Sequence, residues 1–195
     1  MDHIKFIRER IEASVKLKSS LLTNDAILNS LNQLVEQVVI CYNHGGKVLW
    51  AGNGGSAADA QHLAAELSGR FYYDRAPLFS EALHVNTSYL TAVGNDYGYE
   101  LVYSRLTQAM GKKGDILIGL STSGNSPNVI NALVKAKEMG MITAGFTGES
   151  GGKMKPHCDF LVNIPSTDTP RIQECHMLLG HTLCEMVELQ MFPKK

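Results

Sequence analysis

The run Lys47-Val48-Leu49-Trp50-Ala51, followed by Gly52-Asn53-Gly54-Gly55-Ser56 and an alanine-rich stretch to about Arg70, reads strand, glycine turn, helix. Apolar β-formers build the first part, Gly and Asn supply the turn, and the rest has helical composition. The same order returns at Asp115-Ile116-Leu117-Ile118-Gly119-Leu120, then Ser121-Thr122-Ser123-Gly124-Asn125-Ser126, then Pro127. Pro127 suits a first helical position, where its missing N–H loses no bond, and Ser126 suits the N-cap. That helix is predicted to reach about Met139. Strands joined through helices return in the same direction, so two such units call for a parallel sheet with helices on both faces.

Further out, residues 81–85, 141–147 and 159–164 read as three more strands. Residues 87–93 and 99–110 read as short helices around a loop, Gly94-Asn95-Asp96-Tyr97-Gly98. A last helix is predicted from Asp168-Thr169-Pro170-Arg171 to about Gln190, with Thr169 as N-cap and Pro170 at the first position. Toward the N-terminus, Ile4, Ile7, Ile11 and Val15, then Leu28, Leu31, Val35 and Val38, recur at helical spacing before Gly45-Gly46. The expectation is a five-stranded α/β fold forming one domain over residues 1–195, with a helical segment at 1–45 and an α/β core at 46–195.

The 195 residues, 44% hydrophobic and 19% charged, suit a globular domain and exclude long disorder. Eighteen Lys plus Arg against nineteen Asp plus Glu leave a net charge of −1, so no basic field draws in nucleic acid. Cys41, Cys158, Cys175 and Cys184 form no C-x-x-C pair and read as reduced thiols, which points to the cytoplasm. The charged, amphipathic start is no signal peptide, and no apolar run has the length of a membrane span.

Both glycine-serine loops sit where an open α/β sheet places its ligands, at strand carboxyl ends leading into helix N-termini that attract anions. Ser121, Thr122, Ser123 and Ser126 offer four hydroxyls in six residues, a set suited to a phosphate. No G-x-x-x-x-G-K-[ST] is present, and Ala57 replaces the last glycine of G-x-G-x-x-G, so neither nucleotide hydrolysis nor a dinucleotide cofactor is indicated. A plain turn accounts for either loop alone; two at equivalent strand ends favour ligand binding.

After the first loop, Asp59, His62 and Glu66 share a helix face, and His62 with Glu66 has the i, i+4 spacing that lets two side chains meet on one ligand. On the last helix, Ile172, Cys175, Leu179, Leu183, Met186 and Val187 form the apolar stripe, with Gln173 and His181 on another face. Two imidazoles, a carboxylate and an amide oxygen make a ligand set for zinc or a similar divalent ion. Gln173 and His181 are two turns apart, about 12 Å on an ideal helix, so both must lean inward. A solvated helix face accounts for the same pair, and the two readings stand side by side. Gly180 costs about 1 kcal/mol relative to Ala within a helix, which calls for a close approach there by another backbone or a ligand. Asn95 and Asp96 suit sugar hydroxyls or a simple turn.

Across nearly its whole length the chain resembles the single-domain sugar isomerase (SIS) family, and within it the phosphoheptose isomerases. The resemblance is carried by Gly52-Asn53-Gly54-Gly55-Ser56, Ala60-Gln61-His62, Glu66-Leu67-Ser68-Gly69-Arg70, Gly94-Asn95-Asp96-Tyr97-Gly98, Ser121-Thr122-Ser123-Gly124-Asn125-Ser126, and Arg171-Ile172-Gln173-Glu174 with His181. It implies a three-layer fold assembled as a homotetramer through its N-terminal helices, with active sites shared across the interface. It further implies one zinc per subunit on His62, Glu66, Gln173 and His181, with Glu66 as base and His181 as acid. The phosphate would fall to Ser121, Thr122, Ser123 and Ser126, and the sugar to Asn53, Gly54, Gly55, Glu66, Asn95, Asp96 and Gln173. The reaction implied is interconversion of sedoheptulose 7-phosphate and D-glycero-D-manno-heptose 7-phosphate, for lipopolysaccharide or capsule. Thr169-Pro170 departs from the family, where some members carry Ala-Asp, and removes any role for an aspartate there.

A sister branch of the fold is a non-catalytic adaptor for the bacterial replication initiator, and Met191-Phe192-Pro193 is similar to it. In that branch the positions of Glu66 and His181 carry neither acid nor histidine, so this chain sides with the isomerases. Sugar-phosphate-sensing regulators and arabinose-phosphate isomerases normally bring a further domain.

Overall fold

A computed structural model describes residues 1–194. Two helices, α1 (His3–Leu21) and α2 (Asp25–Asn43), precede the sheet, opened by the side chains of Asp2 and Asn24, which accept from the backbone N–H groups of Lys5 and Ile27. Then follow β1 (Val48–Gly52), α3 (Gly55–Ser68), β2 (Ser80–Ala82), α4 (Thr87–Tyr97) and α5 (Val102–Met110). The chain ends in β3 (Ile116–Ser121), α6 (Pro127–Glu138), β4 (Ile142–Thr147), β5 (Phe160–Asn163) and α7 (Thr169–Met191).

All strand pairs are parallel and the order is β2-β1-β3-β4-β5. Alternate side chains divide the core. Trp50, Ile118 and Phe146 face α2, α3 and α7, while Leu49, Ala51 and Leu117 face α4, α5 and α6, so both faces of the sheet are covered. From β1 the chain crosses outward to β2 on one side, and β3 starts the other side. The order therefore reverses between β1 and β3, the crevice where such sheets bind ligands.

The stripe Ile4, Ile7, Ile11 and Val15 on α1 behaves differently from the others. Its members stay 52–60% exposed, while of the α2 set Leu31, Val35 and Val38 are buried and only Leu28, at 39%, stays exposed. Helix α1 is tied to α7 instead by Ser14 Oγ donating to Glu174 Oε2 (2.6 Å) and by Arg171 Nη1 donating to the Arg10 carbonyl (2.8 Å).

Five local expectations are corrected. Residues 94–97 are the last turn of α4 and not a loop; Gly98 alone breaks the helix, at φ +89°, where glycine is favoured. The N-cap of α7 is Asp168, because Ile172 N–H bonds to the Asp168 carbonyl (2.9 Å), and Pro170 sits one position further in, within a first turn that needs no donor. Strand β2 stops at Ala82, since residues 83–84 turn back with Val85 N–H on the Ala82 carbonyl, and α3 stops at Ser68, before Arg70. Finally, the close approach at Gly180 is a side chain: an added Cβ would lie 2.5 Å from Leu63 Cδ1 of α3.

Candidate active site at the sheet switch point

The β1 loop is shaped by its glycines. Gly54 has φ +57°, a left-handed value, and a Cβ on Gly55 would fall 2.5 Å from Gln173 Nε2. That contact places the Gln173 amide against the start of α3. Asn53 is fixed by a reciprocal amide pair: its Nδ2 donates to Asn128 Oδ1 (2.8 Å) and its Oδ1 accepts from Asn128 Nδ2 (2.9 Å). Tyr99 and Tyr103 hydroxyls donate to the same Asn53 oxygen at 3.3 Å each, and Tyr103 also reaches the Gly52 carbonyl at 2.5 Å. Asn128, Tyr99 and Tyr103 escaped the sequence reading. The one sequence signal is Asn128 directly after the helix-opening Pro127; the two tyrosines carry none.

The neighbouring β3 loop gathers its hydroxyls. Ser121 Oγ lies 3.0 Å from Ser126 Oγ and 3.4 Å from Ser123 Oγ. Ser126 is the N-cap of α6, yet its side chain makes no cap bond and turns to Ser121 instead. Thr122 and Ser123 border a pocket of about 230 Å³ with Ser166, Thr167 and Thr169, while Asn53 and Ser126 border another of about 290 Å³. Asn95 and Asp96 bond each other (2.9 Å) on exposed α4, and among the described residues no hydrogen bond links them to either loop.

Behind the β1 loop, α3 and α7 bring together His62, Glu66 and His181, whose ligand atoms lie within 4.8 Å of one another. His62 Nε2 is 2.9 Å from His181 Nε2 and 3.1 Å from Glu66 Oε1. Ligands of a tetrahedral zinc stand about 3.3 Å apart, so both His62 separations match such an ion and the three side chains are placed to share one. Burial lowers the His181 pKa, and His62 lowers it further against the opposing pull of Glu66, which favours the neutral, metal-ligating imidazole. Gln173 borders a hollow of about 420 Å³ with Asp59 and Lys18. Asp59 Oδ2 is buried there without a partner among the described residues, and burial raises that carboxyl above its usual range.

A SIS domain profile matches residues 13–148, and the chain is 50% identical over 190 residues to the phosphoheptose isomerase of Aneurinibacillus thermoaerophilus, covering 97% of this chain and 96% of that protein. The chain belongs to the SIS-domain phosphoheptose isomerase family. The phosphoheptose isomerase of Clostridium acetobutylicum is 48% identical, over 97% of both chains. Among solved structures, phosphoheptose isomerase GmhA from Neisseria gonorrhoeae matches with a TM-score of 0.88 and 41% identity, over 94% of this chain and 97% of that one. A phosphoheptose isomerase from Francisella tularensis matches at 0.90 and 34%, over 96% and 98%. Membership of this family makes the chain an isomerase, with a five-stranded parallel sheet between helices as its fold. No helix among the described residues is long and apolar enough to cross a membrane.

Proposed function

We propose that the chain interconverts sedoheptulose 7-phosphate and D-glycero-D-manno-heptose 7-phosphate in the cytoplasm, supplying heptose for lipopolysaccharide or capsule. The observation that carries this reading is the meeting of His62, Glu66 and His181 beside two ligand-shaped loops at the sheet switch point. Ser121, Thr122, Ser123 and Ser126 take the phosphate beside the N-terminus of α6, with the Ser121 hydroxyl already close to those of Ser123 and Ser126. Asn53, Gly54 and Gly55 orient the sugar, with the Asn53 amide held by Asn128; Asn95, Asp96 and Gln173 complete its contacts.

His62, Glu66, Gln173 and His181 would hold one zinc per subunit. When bound, the ion supplies Lewis acidity that polarises the sugar carbonyl and stabilises negative charge on its oxygen. Aldose-ketose exchange needs a proton moved between adjacent carbons and another delivered to oxygen. Glu66 takes the proton from one carbon and returns it to its neighbour, while His181 gives its ring N–H proton to the carbonyl oxygen and recovers one from the adjacent hydroxyl as that becomes the new carbonyl. We further propose a homotetramer in which the exposed stripe of α1 packs between subunits.

Chelation followed by zinc return, with turnover followed at each stage, tests the metal assignment. Activity lost on chelation and recovered with zinc supports it. Undiminished activity in zinc-free protein overturns it.

A further inference from the structure

A buried ion pair joins the two helices that carry the site. Arg75 Nε is 3.1 Å from Glu188 Oε1, and the two side chains are 2% and 1% exposed. The rest of the guanidinium closes the end of α3: Nη2 donates to the Glu66 carbonyl (2.8 Å), and Nη1 to those of Leu67 (2.8 Å) and Gly69 (2.9 Å). Carbonyls at a helix end have no partner within the helix, and a planar fork of donors is suited to collecting several at once. On α7, Glu188 accepts the N–H groups of Phe71 (2.9 Å) and Tyr72 (2.8 Å). The Phe71 ring then lies 5.7 Å from that of His181. Burial would raise the Glu188 carboxyl, but the Phe71 and Tyr72 N–H groups and the Arg75 charge outweigh it and hold it below its ordinary value.

A buried ion pair often gives no more stability than an apolar pair of similar volume. What an apolar pair lacks is the set of bonds to the carbonyls of Glu66 and its neighbours. We propose that Arg75, anchored by Glu188, is a positioning residue that locks the last turn of α3 onto α7, so that His62 and Glu66 face His181 at ligand-closing separation. The proposal rests on the assignment of those three residues as metal and acid-base groups.

The test compares the full-length assembled protein with Arg75→Lys and with the double variant Arg75→Met/Glu188→Leu. The measurements are zinc affinity by chelator competition, and kcat and KM at saturating zinc. The double variant is expected to fold, to lose at least tenfold in zinc affinity and at least tenfold in kcat, and to keep KM within twofold because the β3 loop is untouched. Arg75→Lys, with charge but no fork, is expected to fall between it and wild type, and it carries the test alone if the double variant fails to fold. Zinc affinity and kcat both within twofold of wild type in a folded variant, with only the melting temperature lowered, would overturn the proposal. A zinc-binding wild type without turnover would sink the proposed reaction but leave the ratio of zinc affinities to decide the role of Arg75. A wild type that binds no zinc overturns both.

Discussion

Under the proposed function one carboxylate, Glu66, and one imidazole, His181, carry the acid-base steps, and their roles separate by substitution. Glu66→Gln keeps size and an oxygen but removes the base, and His181→Ala removes the acid; general acid-base groups contribute about 10²- to 10⁴-fold. Each variant is expected to lose at least that much kcat while sedimenting as wild type, and a rate above a tenth of wild type would release that residue from its role. Another histidine acts on stability. His176 is fully buried, with Nε2 3.1 Å from the Thr147 carbonyl, and burial outweighs that contact and pulls its pKa from 6.5 down to about 4. The unfolded chain takes up the proton first, so this contribution is complete above pH 6.5 and is lost as pH falls toward 4. Its size is on the order of 3 kcal/mol. His176→Met is expected to flatten the melting temperature against pH across that window; an unchanged slope would assign the acid sensitivity elsewhere.

Helices α3 and α7 are in contact because Gly180 lets Leu63 in. An alanine gains about 1 kcal/mol of helix propensity, but overpacking a core costs about 1–3 kcal/mol, so Gly180→Ala is expected to lower the melting temperature. Leu63→Val in that background is expected to do less harm than in wild type, because it removes the clash; additive losses would show that the contact is not the cause. This pair also marks where sequence reading stops. A glycine inside a predicted helix announces a close neighbour, but nothing in one chain's order names Leu63, more than a hundred residues away. The strand-loop-helix units were readable because period, turn residues and proline position agree locally. The α4 segment was misread because two glycines look like a loop, whereas only Gly98 has the backbone that requires one. Likewise the spacing of His62 and Glu66 was visible on one helix. Their meeting with His181, and the hold of Asn128 on Asn53, depend on tertiary packing.

At the scale of the whole molecule, the parallel sheet sets two polar loops side by side and leaves α1 with its apolar stripe outward. Exposed Ile7 and Ile11, at 52% and 58%, are the residues a subunit contact would cover. If the proposed tetramer forms through this stripe, Ile7→Glu/Ile11→Glu shifts the sedimenting species to smaller forms without loss of helical signal; an unchanged assembly would place the interface elsewhere. On the proposed function this arrangement is a sugar-phosphate isomerase site and not a binding surface alone. ³¹P NMR of sedoheptulose 7-phosphate mixed with zinc-loaded protein tests it most directly. The expected result is a growing phosphomonoester signal from D-glycero-D-manno-heptose 7-phosphate, absent with Glu66→Gln. A folded tetramer that leaves the substrate unchanged with zinc, nickel, cobalt or manganese would contradict it, and would favour the non-catalytic adaptor of the replication initiator.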